Sequence, residues 1–202
     1  WWLHQSFSVH GAYARILRSH GFQQTLTPLF SIMSFSMYAA SAEVYVRMLR
    51  NLLTWLDKAE GHAKARGFDS GVFLSTKLSP DMLSFGKQVT IASEVARLAV
   101  ARLGSIDLPV AQGSDDSFEG LRVRVRDAIT FVEGVSPEQL DGSAERELVL
   151  PQRQGEPLHF TGLTFLQQWS LPNFFFHVTT AYALLRQAGV ELGKADYLGV
   201  MA

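Results

Sequence analysis

Apolar residues recur along this chain at the i, i+3, i+4, i+7 spacing of helices that bury one face. From residue 36 to about 66 the stripe is Tyr45, Met48, Leu49, Leu52, Trp55, Leu56 and Ala59, and Gly67 ends it. A short helical turn is expected over residues 69–75. In the second stretch Ser79 reads as an N-cap, Pro80 as the first helical residue and Asp81 as favourable to the helix dipole. Met82, Phe85, Val89, Ala92, Val95, Ala96, Ala99 and Leu103 follow, and Gly104 stops that helix. Asp116 with Glu119 forms a capping pair for a third helix, which runs to about Glu133 on Phe118, Leu121, Val125, Ala128, Ile129 and Val132. Thr161 caps a fourth that ends near Gly189, with Phe165, Leu166, Trp169, Phe176, Ala183, Leu184 and Leu185 as its broad apolar surface.

Only one segment reads as β. Glu147-Leu148-Val149-Leu150 and Leu158-His159-Phe160 flank a turn-rich PQRQGEP and predict a hairpin, which needs the bundle to pack against. Residues 108–114 read as a loop, and Ser136-Pro137-Glu138 opens a short turn that closes at Asp141-Gly142. The tail VELGKADYLG is apolar enough that Tyr197 and Leu198 are expected to dock on the helices. The pattern therefore predicts an all-α four-helix bundle with a small β-hairpin between the third and fourth helices.

Composition adds bounds. A chain of 202 residues suits one domain with a sizeable core, and 47% hydrophobic against 18% charged residues is an ordinary globular balance. Lys plus Arg number 18 and Asp plus Glu 19, so no net charge draws the chain to nucleic acid or anionic membrane. No apolar run reaches the roughly 20 residues of a spanning helix. The absence of cysteine removes disulfides, thiolate metal sites and thiol nucleophiles and fits a reducing compartment, so a cytoplasmic location is expected.

Residues 1–32 differ from the rest. They hold no acidic residue but include Arg15, Arg18 and three histidines, and the first residue is Trp1. They are read as an extension outside the core, with Met33 a plausible native start and the core spanning residues 33–202. A basic, acid-free leader also has the character of an organelle-targeting segment.

The candidate chemistry gathers in LPNFFFHVTTAYALLR, residues 171–186. Pro172 removes a bond to the Gln168 carbonyl, so a kink is expected there. Asn173 and His177 share a face and Thr180 lies three residues on, so carbonyl, amide, imidazole and hydroxyl can converge on one polar spot in an apolar wall. The alternative is a core histidine satisfied by Asn173 or by a backbone carbonyl. Gln88, between apolar neighbours on the second helix, is either on a solvated stripe with Asp81 and Ser84 or directed inward at the same spot. His62 is expected to be exposed, and Asp81 and Glu94 to be wet. Arg122, Arg124 and Arg126 lack the interleaved aromatics of a nucleic-acid surface and read as a solvated face. No P-loop, GxGxxG, GxSxG or HExxH is present.

SMYAASAEVYVRMLRNLLTWLDKAEGHA, LSPDMLSFGKQVTIASEVA and LPNFFFHVTTAYALLRQAGVELGKADYLG, in that order, resemble the DUF1993 family, a relative of the DinB-like helical bundles. The resemblance spans about residues 33–199 and implies the same bundle with an added hairpin. It also implies a divalent-metal site with one ligand on the second helix and two on the last, for which Gln88, Asn173 and His177 are the matching positions. Only His177 is a usual ligand, so no metal and no other cofactor are predicted. The leading expectation is a small-molecule-binding protein whose pocket is bordered by Gln88, Asn173, His177 and Tyr182. A metal-dependent transferase or hydrolase is the alternative, and nucleic-acid binding through the three arginines is a third. Relatives often form homodimers, so a homodimer is expected here too.

Overall fold

Four long helices carry the core in the computed structural model, which describes residues 36–152 and 154–199. They are α1 (Ala42–Arg66), α2 (Phe85–Gly104), α3 (Phe118–Glu133) and α4 (Leu171–Gln187). The expectations for the leader and for Met33 lie outside the described residues. Helix α2 packs against both α4 and α3, and α3 packs against α1, so consecutive α1 and α2 are not principal neighbours. Strands β1 (Glu147–Leu150) and β2 (Leu158–Thr161) pair antiparallel with Leu148 opposite Phe160. Among the described residues no helix is long and apolar enough to cross a membrane.

Each long helix forms for a reason visible in its own residues. The apolar stripe of α1 is buried in full from Tyr45 to Ala63, and Gly67 ends the helix at φ 74°, a left-handed conformation that glycine adopts without a Cβ clash. The expected beginning at residue 36 is divided: Ser36 caps a single turn, Met37–Ala40, and Ser41 breaks it before α1. All six expected positions of α3 are buried.

Two helix starts differ from the expected ones. The Ser79 hydroxyl turns to the Asp81 carboxylate at 2.5 Å and the Met82 N–H to the Ser79 carbonyl at 3.0 Å, which makes a turn. The Phe85 N–H donates to the Thr76 carbonyl at 2.9 Å, so the chain closes a loop first and α2 begins after Ser84. Met82 is accordingly half-buried in that turn and not part of the helix. Ahead of α3 the cap is Ser117, whose hydroxyl accepts the Gly120 N–H, while Asp116 takes the Ser114 hydroxyl.

Before α4 the backbone widens. Residues Phe165–Ser170 form a π turn in which the Leu171 N–H reaches the Leu166 carbonyl, and Pro172, which has no N–H to give, enters directly afterwards. Gln168 and Pro172 are both exposed, on the outer flank of the turn. The extra residue also advances the helical phase. Ser170, Phe174 and His177 take the inward positions, whereas Trp169 and Phe176, expected inside, are 38% and 54% exposed.

Two of the three central arginines, Arg122 and Arg124, are not on a solvated face. Arg122 reaches Asp57 at 3.0 Å and also Glu60 on α1, and Arg124 reaches Glu94 on α2 at 2.8 Å and the Gly113 carbonyl at 2.7 Å. Spaced two apart, they leave opposite flanks of α3 and clamp it to both neighbours; Arg126 alone is well exposed. Glu94 is therefore paired and half-buried, not wet.

The tail docks through Tyr197, which stacks on Trp55 at 5.7 Å and shares a hydrogen bond with the Thr179 hydroxyl at 2.8 Å. The Trp55 indole N–H donates to the Asp196 carbonyl at 3.1 Å. Leu198, expected to dock as well, is 42% exposed. Replacing the fully buried Trp55 by alanine removes a large side chain and the tail's anchor together. We expect Trp55→Ala to lose about 3–5 kcal/mol in urea unfolding, with amides of Lys194–Leu198 exchanging early, and Trp55→Phe to lose much less.

Candidate functional site on the seam between helices α2 and α4

Helix α2 faces α4 with a stripe spaced three, four, three and four: Gln88, Ile91, Val95, Leu98 and Arg102. Gln88 is buried and the other four are half-buried, so the stripe lies along one edge of the seam. Helix α4, antiparallel to it, answers with His177 near Gln88 and with Asn173 one turn earlier, near Val95 and Leu98.

His177 is 8% exposed, and its Nδ1 lies 2.7 Å from Gln88 Oε1. The amide of Gln88 is itself oriented, because its Nε2 donates to the Leu83 carbonyl at 3.0 Å. That bond presents Oε1 to the imidazole, so Nδ1 carries the proton and donates. Nε2 then holds a lone pair, has no partner among the described residues and is not sealed from solvent. Burial pushes the imidazole below its ordinary value near 6.5, which keeps it neutral at pH 7. The Phe176 ring meets it edge-on at 5.3 Å and is half-exposed, as is Leu83. An exposed apolar ring thus lies beside the imidazole.

The four expected site residues do not border one pocket. Gln88 and His177 meet. Asn173 is half-buried and lines a separate cavity of about 80 Å³ with Val95, Leu98, Ala99, Phe165 and Trp169, beside Arg102 and Ser170. Tyr182 faces the opposite way, packing edge-on against Trp55 at 5.4 Å and against Tyr197 at 5.4 Å. Five residues beyond His177, it is turned roughly 140° around the helix. Thr180 is buried, and its hydroxyl donates to the Phe176 carbonyl at 2.7 Å, so it is spent within its own helix.

Sequence reasoning missed Leu83, Phe176 as rim, and Arg102. A cation in the last turn of a helix reads as a complement to the dipole, which is why Arg102 attracts no notice. The available signal was its register with Gln88, fourteen residues and four turns earlier. His62, expected to be exposed, is half-buried among Phe68 and Phe73, and its Nε2 is enclosed without a partner among the described residues.

The chemistry of the donors limits what the seam can hold. Among the described residues no three His, Cys, Asp or Glu side chains are grouped for a metal ion. At the three positions the resemblance points to, Gln88 Oε1 faces the imidazole N–H and Asn173 lies beside a guanidinium. Neutral amides are weak ligands for zinc or nickel, and Gln88 Oε1 is turned to the Nδ1 side of the ring.

A family model described as a domain of unknown function, DUF1993, matches residues 37–198. Among solved structures, the crystal structure of a DinB family member protein from Shewanella denitrificans superposes with a TM-score of 0.72 at 36% sequence identity. The match covers 81% of this chain and 92% of that one. Comparison with curated proteins finds no match.

The depressed imidazole has a consequence for stability. Unfolded, His177 takes up a proton near pH 6.5; folded, it does so only at lower pH. As pH falls below about 6.5 the unfolded state binds more protons, and stability is lost until the folded value is passed. Urea midpoints should therefore fall between pH 7 and pH 5, and fall less in His177→Gln, which has no proton to take up there.

Proposed function

The chain belongs to the DUF1993 family of DinB-like helical bundles, and we propose that it binds a small molecule on the α2–α4 seam. The observation that carries this reading is the His177 Nε2 lone pair, held in one tautomer by Gln88 and without a partner among the described residues. A buried polar atom is normally satisfied, and one that is oriented, open and unpaired suits a ligand. The matching ligand donates an O–H or N–H to Nε2 and lays an apolar body on Phe176 and Leu83.

The neutral imidazole acts as an acceptor, so binding is supported at pH 7 and weakens once the ring is protonated in acid. The same lone pair is placed to take a proton from a bound substrate, which is the property a general base needs. Metal-dependent transfer or hydrolysis is supported less well, because the Gln88 amide is turned to His177 Nδ1 and the Leu83 carbonyl and the guanidinium of Arg102 disfavours a second cation near Asn173. Nucleic-acid binding is likewise poorly supported, since Arg122 and Arg124 are engaged by carboxylates.

A thermal-shift screen of small polar aromatics and amides tests the site, since binding to the folded state raises the melting temperature by mass action. Hits should lose about tenfold or more in affinity in His177→Ala and Gln88→Ala, a difference of about 1.4 kcal/mol, and be unchanged in Tyr182→Phe. Hits indifferent to both seam variants would remove the assignment. Elemental analysis of untagged protein is expected to find transition metal well below stoichiometric. A full equivalent that disappears in His177→Ala would favour the metal reading instead.

A further inference from the structure

We propose that Arg102 anchors an anionic oxygen group, a carboxylate or a phosphate, on the ligand of this seam. The inference deepens the reading above and rests on it. Arginines drawn out of solvent in this protein otherwise have oxygen acceptors. Arg97 is held by Asp127, Glu94 and the Pro109 carbonyl, Arg122 by Asp57 and Glu60, Arg124 by Glu94 and Gly113, and Arg146 by the Leu103 carbonyl. Arg102 is half-buried too, yet among the described residues it has neither a carboxylate nor a carbonyl partner. Its guanidinium lies 6.0 Å from the centre of the Phe165 ring, a contact that steadies the group without neutralising it.

Three further observations agree. The cavity of about 80 Å³ beside Arg102 has room for an ordered water or one carboxylate group. Asn173, which has no side-chain hydrogen bond among the described residues, lines it and offers an amide donor. Burial draws the Arg102 pKa down, yet a guanidinium stays protonated, so among the described residues the site holds a cation with no carboxylate facing it, which an oxyanion would relieve.

The position also fits one ligand with two contacts. Asn173 precedes His177 by four residues, about 6 Å along α4. Arg102 lies fourteen residues from Gln88, about 21 Å along α2, so an elongated molecule with an anionic group at one end and a hydroxyl or N–H at the other can meet Arg102 and His177 Nε2 together, lying over the half-buried Ile91, Val95 and Leu98.

The test compares benzoate, benzamide and inorganic phosphate on the intact chain. Protein NMR follows the Trp169 indole, which lines the cavity and is assigned through Trp169→Phe. Benzoate or phosphate should shift that resonance saturably, with benzamide at least about tenfold weaker and added salt reducing the response. Which of the two anions binds more tightly separates a carboxylate ligand from a phosphate one. Arg102→Gln should lose about tenfold or more for the anions, with Arg102→Lys and Asn173→Ala intermediate. An absent response, or benzoate binding unchanged in a folded Arg102→Gln, overturns the anchor. If Arg102→Gln does not fold, the benzoate–benzamide contrast on the parent and the Arg102→Lys variant decide. Equal binding of benzamide and benzoate, lost in His177→Ala, overturns the anion anchor while leaving the seam reading intact. Benzoate, too short to span the seam, should need Arg102 but not His177, and that outcome supports the anchor.

Discussion

A histidine can be enclosed in a helical core only if its ring N–H finds an acceptor that has nothing better to do. In this protein Gln88 is that acceptor, and the Leu83 carbonyl in turn prevents the amide from rotating. The chain of two hydrogen bonds runs from a loop carbonyl through α2 to α4. It decides the tautomer, so it also decides that the free atom of the ring is a lone pair and not an N–H. Everything said of the site depends on that order of donors and acceptors.

Around that pair the bundle is tied by groups that do not take part. Arg122 and Arg124 fasten α3 to α1 and α2, while the fully buried Arg97 holds the Pro109 carbonyl at 2.7 Å and so pins the loop between α2 and α3. Tyr45 shares a 2.8 Å hydrogen bond with Ser170 and joins α1 to the π turn, and burial pushes its hydroxyl above the ordinary tyrosine range. These contacts fix the two faces of α2 differently. Toward α3 it meets ion pairs and close packing; toward α4 it keeps a half-buried stripe with one amide and one cation that has no carboxylate partner among the described residues. A seam of the second kind has less internal satisfaction, which is why the ligand reading falls there.

The π turn links the fold to the site. Proline at 172 cannot donate, and the turn just ahead of it is lengthened to a π turn. The added residue rotates everything that follows. His177 turns toward α2, and Phe176 turns to the rim. Without that shift of phase, a helix counted from Phe165 at 3.6 residues per turn places Phe176 inside.

The four helices, the hairpin and the order of elements were legible in the sequence, because apolar spacing and turn residues are local and each helix must bury its own stripe. The burial of α3 from Phe118 to Val132 and the left-handed Gly67 needed nothing beyond their neighbours in the chain. Other features depended on residues remote in sequence. Ser79 failed as a cap because Phe85 had a carbonyl waiting at Thr76. The arginines left the surface because α1 and α2 brought carboxylates to them, and Tyr182 parted from His177 because Trp55 and Tyr197 filled the other side. Periodicity states which face of a helix is buried; only the tertiary structure decides what stands opposite it, since a hydrogen bond or an ion pair needs a partner at a definite distance and the sequence carries no distances.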